Sequence, residues 1–280
     1  MSAQAGIGES SNYLSRFFAA VRLAGTQLVR RPSHSRRAEA ARRSARHVLF
    51  LTTIAGAAII LLMYALDARE IGLMPARGTA SLWPIRILTD FGKSAYVLWA
   101  LAVMLFIVAI ISPRLRGNSR SVLLGLGTRL QFVFFAVLVP VLAGEIIKWI
   151  VGRGRPFVGG EANPFNFEHF AGTEAYASFP SGHAITSFAL AFAVSALWPR
   201  ARAAMIVYAV LIAVSRLVLL AHHPSDVVAG ALIGVIGAMF VRYWFAARHL
   251  GFTIHRDGKI VPLRRVWGHL KRVARGASAP

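Results

Sequence analysis

The sequence predicts an all-α membrane protein with six transmembrane helices, and three observations support this fold class. The chain of 280 residues is 56% hydrophobic and only 15% charged, a composition typical of membrane proteins. Its apolar residues are gathered into six windows, and the length of each window is close to that of a bilayer-spanning helix, about 20 residues. Its basic residues are concentrated in every second segment between these windows. The chain has no cysteine, which excludes disulfides and thiolate metal sites.

The six windows follow one another along most of the chain. They cover residues 47–66, 95–112, 130–147, 181–198, 203–221 and 227–245. The first begins after a long Arg-rich segment, too late for an ordinary cleavable signal peptide. Between the first two windows, LWPIRILTDFGKS is too short and too polar to span, which predicts a re-entrant or interfacial piece on the outer face. After the last window, FTIHRDGKIVPL alternates around Asp257-Gly258 and favours a β-hairpin.

Two basic segments flank the six windows. Residues 1–46 form an N-terminal arm, in which YLSRFFAAVRLAGTQLV places apolar residues at helical spacing. An interfacial amphipathic helix and a loosely ordered basic arm explain that pattern equally well. The following RRPSHSRRAEAARRSARH is interpreted as a linker. Residues 246–280 form a tail, and its end, RRVWGHLKRVARG, is expected on the inner membrane surface.

The distribution of basic residues predicts the orientation in the membrane. The segments on the side of the two termini carry 23 Lys and Arg, whereas segments 67–94 and 148–180 carry seven. The positive-inside rule therefore predicts a multi-pass inner-membrane protein with both termini in the cytoplasm. The net charge of +21 is explained by this topology, and no nucleic-acid recognition motif accompanies it. We therefore expect membrane lipids, and no nucleic acid, as partners.

Three polar clusters stand at ends of the predicted helices, and the topology places all three on the outer, periplasmic face. KWIVGRGRP ends the third window with Lys148 and Arg155, SFPSGHA begins the fourth with Ser181, Gly182 and His183, and SRLVLLAHHPSD joins the fifth and sixth with Arg216, His222 and Asp226. Charge inside an apolar run is costly unless it is paired or functional. The convergence of the three clusters predicts one site at this face.

The cations of this predicted site suit an anion. Arginine adds a planar fork of donors that matches phosphate oxygens. Ser181 stands where a helix N-cap belongs, so the amides that follow it would point toward an anion, and Gly182 lets that backbone approach closely.

The histidines of the site suit phosphoryl transfer. Without a serine nucleophile elbow or a carboxylate-rich metal cage, a histidine is the economical nucleophile. Asp226 lies four residues after His222 and could hold one ring nitrogen, which leaves the other free to attack. His183, on another helix, could protonate the departing oxygen.

Together, K-x6-R-P at residues 148–156, P-S-G-H at 180–183 and S-R-x5-H-x3-D at 215–226 resemble the three-part signature of the type 2 phosphatidic acid phosphatase (PAP2) superfamily. The resemblance covers residues 47–245 and leaves the arm 1–46 and the tail 246–280 outside. It implies that His222 is the nucleophile and forms a phosphohistidine, that Asp226 orients it, and that His183 is the general acid. It also implies a phosphate-binding set of Lys148, Arg155, Ser181, Gly182 and Arg216. No metal and no cofactor is implied.

Several neighbouring residues have weaker expectations. His223 could also meet Asp226, but the family spacing selects its neighbour, so we expect His223 at the rim of the site. We expect Arg153 to face lipid headgroups, and Glu145 to pair with Lys148. The loop 157–179 is rich in Phe and carries several acids, which suggests an aromatic lid over a lipid headgroup. An ordered loop without substrate contact explains it nearly as well.

The expected function is an integral membrane lipid phosphatase. Candidate substrates are undecaprenyl diphosphate, phosphatidic acid, phosphatidylglycerol phosphate and lipid A, because the motifs recognise a phosphate and not a lipid tail. The alternative is a lipid phosphotransferase that passes the phosphoryl group to an acceptor lipid. A transporter or non-enzymatic membrane protein is a third interpretation, which the intact motifs disfavour. The sequence does not indicate an oligomeric state.

Overall fold

The computed structural model describes residues 13–76, 78–156, 158–159 and 163–263. Within these residues, the α-helices are α1 (Tyr13–Val29), α2 (Arg37–Ala65), α3 (Asp67–Leu73), α4 (Trp83–Asp90), α5 (Ser94–Ile111), α6 (Gly117–Val151), α7 (Gly182–Leu197), α8 (Arg202–Val218) and α9 (Pro224–Ala247). Two short strands, β1 (Phe252–Ile254) and β2 (Ile260–Pro262), follow them. The predicted all-α fold class is confirmed. The predicted basic segment 264–276, and Phe157 and Glu161 of the predicted lid, lie outside the described residues.

Five helical segments of the described chain are long and apolar enough to cross a membrane. They are Arg37–Ala65, Ala80–Arg114, Gly117–Val151, Pro199–Val218 and Pro224–Ala247. The fourth predicted window corresponds to α7, which is apolar but only 16 residues long. The membrane fold is therefore confirmed, whereas the number of six crossings and their orientation stay predictions.

The α7 helix lies at the centre of the bundle, where it packs against α6, α8 and α9. Half of its buried residues are alanines, including Ala184, Ala189 and Ala193. Two glycines of α9 face it: a Cβ added to Gly230 would stand 2.5 Å from the Ser181 carbonyl oxygen, and one added to Gly234 would stand 2.4 Å from that of Ile185. Because only glycine permits this approach, the beginning of α9 is held tightly against the beginning of α7.

Several predicted peripheral elements have counterparts in the structure. The apolar spacing after residue 12 does form a helix, α1, and the Tyr13 hydroxyl donates to the Ile110 carbonyl oxygen over 2.7 Å. The predicted hairpin is confirmed, since β1 and β2 pair antiparallel with Thr253 opposite Val261. The predicted linker is partly wrong. Its second half belongs to α2, which begins at Arg37, because residues 37–46 are rich in the helix formers Ala and Arg.

Candidate active site

The structure brings the three polar clusters together where α6 ends and α7 and α9 begin. The Lys148 ammonium lies 3.3 Å from the point where a Cβ on Gly182 would stand. The Ser181 amide donates to the Asp226 carbonyl oxygen over 3.0 Å, which ties the beginning of α7 to the beginning of α9. The positive charges of Arg216 and Arg155 act on the His222 ring and lower its pKa. Residues far apart in sequence therefore surround one imidazole.

The His222 ring is buried, with 3% of its surface exposed, and its orientation is fixed. Its Nδ1 donates to the Ser178 carbonyl oxygen over 2.8 Å, so the proton is on Nδ1 and Nε2 keeps its lone pair. Burial, followed by the positive charges of Arg216 and Arg155, holds the pKa of His222 well below its usual value. The ring is therefore neutral at pH 7, the state in which an imidazole can attack phosphorus.

Asp226 is placed differently from the sequence expectation. Its Oδ2 lies 4.0 Å from His222 Nδ1, too far for a hydrogen bond. The carboxylate instead accepts from the Ser178 hydroxyl over 2.6 Å and from the His223 amide over 2.9 Å, and it pairs with Arg153 over 2.6 Å. Since these three donors occupy its oxygens, Asp226 holds the segment that orients His222 and does not contact the ring.

Arg153 does not face lipid headgroups, so that expectation is wrong. Its side chain has no exposed surface and bridges Asp226 to Asp67 at the beginning of α3. The chain turns inward at Gly152, where φ is +56° and a Cβ would stand 1.7 Å from the Glu168 carbonyl oxygen. This left-handed turn at the end of α6 directs the following residue into the protein.

His223 is not a rim residue, so that expectation is also wrong. It is buried and precedes the first residue of α9, where its amide donates to Asp226. Its Nδ1 lies 3.3 Å from the Asp67 carbonyl oxygen, on the side of α3. Burial lowers the pKa of His223. The two adjacent histidines therefore have different surroundings, and only His222 is held by the Ser178 carbonyl group.

Each of the three expected phosphate-binding cations has a partner within the protein. Lys148 pairs with Glu145 over 2.5 Å, which confirms the predicted ion pair, and Arg155 pairs with the exposed Glu174 over 2.6 Å. Arg216 Nη1 donates to the Thr89 hydroxyl of α4 over 2.8 Å. Thr89 thereby brings the predicted interfacial piece into the site.

Four buried polar atoms of the expected site residues make no hydrogen bond within the described chain. They are Arg155 Nε, Ser181 Oγ, His183 Nε2 and Arg216 Nε. Buried donors without partners are rare in folded proteins. The helix α7 begins at Gly182, so the amides of its first turn also have no acceptor inside the helix. A tetrahedral oxyanion would supply acceptors for this set of donors.

The sequence did not predict four residues that contact the expected site residues or the ion pair of Arg153: Asp67, Thr89, Ser178 and Ser225. Asp67 directly follows the first predicted span, where a charge is common, so its position carried no signal. Ser178 acts through its backbone carbonyl group and its hydroxyl, and a backbone role has no residue-type signature. The described residues contain no group of three or more His, Asp or Glu that could hold a metal ion.

The described part of the loop 157–179 is held by aromatic contacts. Phe165 lies against Tyr64 of α2, Phe170 packs edge-on against Trp149 of α6, and Phe167 stacks near His169. These three phenylalanines keep more than a third of their surface exposed. The predicted aromatic lid stays a prediction.

Comparisons with known proteins agree with the resemblance of the motifs. A sequence model described as the PAP2 superfamily matches residues 129–250. The lipid A 1-phosphatase of Rhizobium johnstonii is 31% identical over 226 residues, which cover 79% of this chain and 86% of that protein. The lipid A 1-phosphatase of Rhizobium etli is 32% identical over 174 residues, which cover 61% of this chain and 75% of that protein.

A protein of Escherichia coli K12 with the provisional name undecaprenyl-diphosphatase YbjG is 33% identical over 156 residues, which cover 51% of this chain and 74% of that protein. No solved structure matches the chain. All three motifs, from residue 148 to residue 226, lie within the family match. The chain therefore belongs to the PAP2 superfamily and is a bacterial membrane lipid phosphatase.

Proposed function

We propose that this phosphatase removes the 1-phosphate of lipid A through a phosphohistidine intermediate on His222. The observation that carries the mechanism is the fixed tautomer of His222, with Nδ1 bound to the Ser178 carbonyl oxygen and Nε2 left with its lone pair. The substrate is supported by the two rhizobial relatives, which are named lipid A 1-phosphatases. The second candidate, undecaprenyl diphosphate, is supported by the name of the Escherichia coli relative.

The reaction would proceed in two displacements at phosphorus. First, the lone pair of His222 Nε2 attacks phosphorus, the bond from phosphorus to the lipid oxygen breaks, and His183 gives that oxygen its proton. Water then attacks the phosphohistidine, His183 takes the proton of that water, and the phosphate leaves with His222 restored. Lys148, Arg155 and Arg216, with the first amides of α7, would neutralise the phosphate oxygens in both steps.

The site would lie at the outer face of the inner membrane, with both termini in the cytoplasm. The uneven distribution of basic residues supports this orientation. A lipid phosphate with its headgroup at that face could then reach His222 without leaving the bilayer.

Phosphate release from purified protein tests the substrate. Lipid A carrying a 1-phosphate, undecaprenyl diphosphate, phosphatidic acid and phosphatidylglycerol phosphate are supplied at equal mole fraction in mixed micelles. We expect lipid A to give the highest kcat/KM. Similar turnover of all four lipids would contradict the proposed specificity. Transfer to an added acceptor lipid without free phosphate would instead identify a phosphotransferase.

Trapping of the intermediate tests the mechanism. Acid-quenched enzyme should carry a phosphoryl group on His222, and His222→Ala should lose both the phosphoenzyme and turnover. His255→Ala, at an exposed position in the β1–β2 turn, is the matched control and should keep both. The mechanism is wrong if His222→Ala still turns over substrate.

A further inference from the structure

A buried ion cluster lies behind His222 and consists of Arg153 between two carboxylates. Arg153, Asp67 and Asp226 have no exposed side-chain surface, and they come from the segments after α6, at α3 and at α9. None of these residues belongs to the phosphate-binding set. We propose that Asp67 and Arg153 are positioning residues, which fix the His222 ring by holding Asp226 and Ser178 in place. The inference rests on the proposed role of His222 as nucleophile.

Arg153 reaches His222 along two routes that meet at Ser178. In the first, Arg153 Nη1 pairs with Asp226 Oδ1 over 2.6 Å, and Asp226 Oδ2 accepts from the Ser178 hydroxyl over 2.6 Å. In the second, the Ser178 amide donates to the Arg153 carbonyl oxygen over 3.0 Å. Ser178 is therefore held through its side chain and its backbone. Its carbonyl oxygen, which accepts from His222 Nδ1, has little freedom to move.

Asp67 fixes the other side of the guanidinium group. Its carboxylate accepts from Arg153 Nη2 over 2.8 Å and from the Ser225 amide over 3.1 Å, and it also accepts a short hydrogen bond from the Ser225 hydroxyl. Arg153 donates in addition to the Pro164 carbonyl oxygen from Nε and Nη2. Arg153 Nη1 also donates to the Ser225 hydroxyl over 2.6 Å, so the guanidinium group makes five hydrogen bonds, which only the fork of an arginine can make together.

The cluster also has an electrostatic role. One guanidinium group faces two carboxylates, so the three side chains together carry a negative charge. A phosphohistidine that keeps its Nδ1 proton has a positively charged ring, and Asp226 Oδ2 lies 4.0 Å from that nitrogen. A buried negative charge at this distance favours the charged ring over the neutral one. Removal of Asp67 would leave the cluster neutral and weaken this effect.

A purely structural role for the cluster would give a different result. Removal of one partner from a buried ion pair destabilises the fold, because the remaining buried charge is no longer compensated. Such a loss lowers the melting temperature and the yield of folded enzyme, but it leaves the kcat of the folded fraction unchanged. A positioning role instead lowers kcat in the folded fraction, since small displacements of a reacting group cost up to about 10²-fold in rate.

The test compares Asp67→Asn, Arg153→Lys and Ser225→Ala with wild type, using monodisperse protein recovered by size exclusion. The measurements are kcat, KM and the single-turnover rate of phosphohistidine formation on the substrate that the wild type hydrolyses best. Arg248→Lys is the matched control, because Arg248 is a buried arginine at the opposite end of α9, where it donates to the Arg30 carbonyl oxygen and lies over the Trp244 ring.

We expect Asp67→Asn and Arg153→Lys to lower kcat and the rate of phosphohistidine formation by about 10- to 100-fold, with KM changed less than about threefold. Ser225→Ala should show a smaller loss of the same kind, and its small volume change lets it fold if the charged variants do not. Arg153→Gln, which removes the positive charge, should be worse than Arg153→Lys. Arg248→Lys should leave kcat unchanged.

Two outcomes would overturn the inference, and they are distinguishable. If wild type forms phosphohistidine and the folded variants form it at the wild-type rate, the cluster is only structural and the proposed function stands. If wild type forms no phosphohistidine, the proposed mechanism and the inference fail together.

Discussion

Glu70 is a buried acid that should make the protein less stable as the pH rises. It lies in α3 with 3% of its surface exposed, and neither of its carboxyl oxygens has a hydrogen-bond partner in the described chain. Burial, followed by the negative charges of Asp67 and Asp226, raises the pKa of Glu70 from 4.5 to about 8. The folded protein therefore keeps this proton through neutral pH.

The direction of the effect follows from the two pKa values. In the unfolded chain Glu70 loses its proton near pH 4.5, whereas in the folded protein it keeps the proton until about pH 8. Between these values the folded state binds more protons, so the free energy of unfolding falls as the pH rises. Each pKa unit corresponds to about 1.4 kcal/mol, which limits the loss to about 5 kcal/mol. We expect about 2–4 kcal/mol, because water and neighbouring groups can rearrange around the ionised carboxylate.

Replacement of Glu70 by Gln removes the titration and keeps the side-chain shape. The melting temperature of wild type and Glu70→Gln, measured in one detergent from pH 5 to pH 8.5, should diverge in favour of the variant as the pH rises. With about 2 °C per kcal/mol for a chain of this size, the difference should grow by about 4–8 °C. Glu39→Gln, at an exposed position in the first turn of α2, should follow wild type throughout. A constant difference between wild type and Glu70→Gln across this range would refute the reasoning.

Three further predictions concern packing, metal dependence and orientation. Gly230→Ala should lower the free energy of unfolding by about 1–3 kcal/mol and reduce kcat/KM, because its Cβ would meet the Ser181 carbonyl oxygen. The control Gly56→Ala, at a position with open space around it, should change neither quantity. Phosphate release should persist in excess chelator, since Lys and Arg side chains can neutralise the phosphate, and vanadate should inhibit it. Loss of phosphate release on chelation, with recovery on addition of a divalent ion, would contradict this prediction. In this cysteine-free chain, a single cysteine that replaces Phe165 should react with an impermeant thiol reagent in intact cells, whereas one that replaces Ile260 should not. The reverse labelling pattern would show that the orientation is opposite to the predicted one.

The sequence predicted the helices and the proximity of the three motifs better than the contacts that hold them. Long apolar windows report helices directly, because a span must be apolar along its whole length. The site residues carry chemistry that has a residue-type signature. The pairing of Arg153 with Asp67 has none, since 86 positions separate them and either residue alone is ordinary at a helix end. The position of the carboxylate of Asp226 depends on that pairing, so its distance from His222 could not be predicted either.

Local backbone geometry explains the other differences. The inward direction of Arg153 results from the left-handed conformation of Gly152, which a glycine allows but does not require. His223 and His222 are adjacent, yet one caps α9 and the other meets Ser178, because the chain turns between α8 and α9. Sequence spacing alone does not contain the direction of such a turn.

The length of α7 has a consequence for the membrane around it. A helix of 16 residues rises about 24 Å, which is less than the hydrocarbon thickness of about 30 Å. Such a mismatch is accommodated where the bilayer becomes thinner, or where one end of the helix stays below the headgroups. Where α7 crosses the bilayer as predicted, either adjustment would bring its beginning at Gly182, the expected phosphate-binding end, to the depth at which acyl chains begin. Bilayer thickness, set by acyl-chain length, would thereby control how easily a lipid phosphate reaches the ring of His222, the proposed nucleophile.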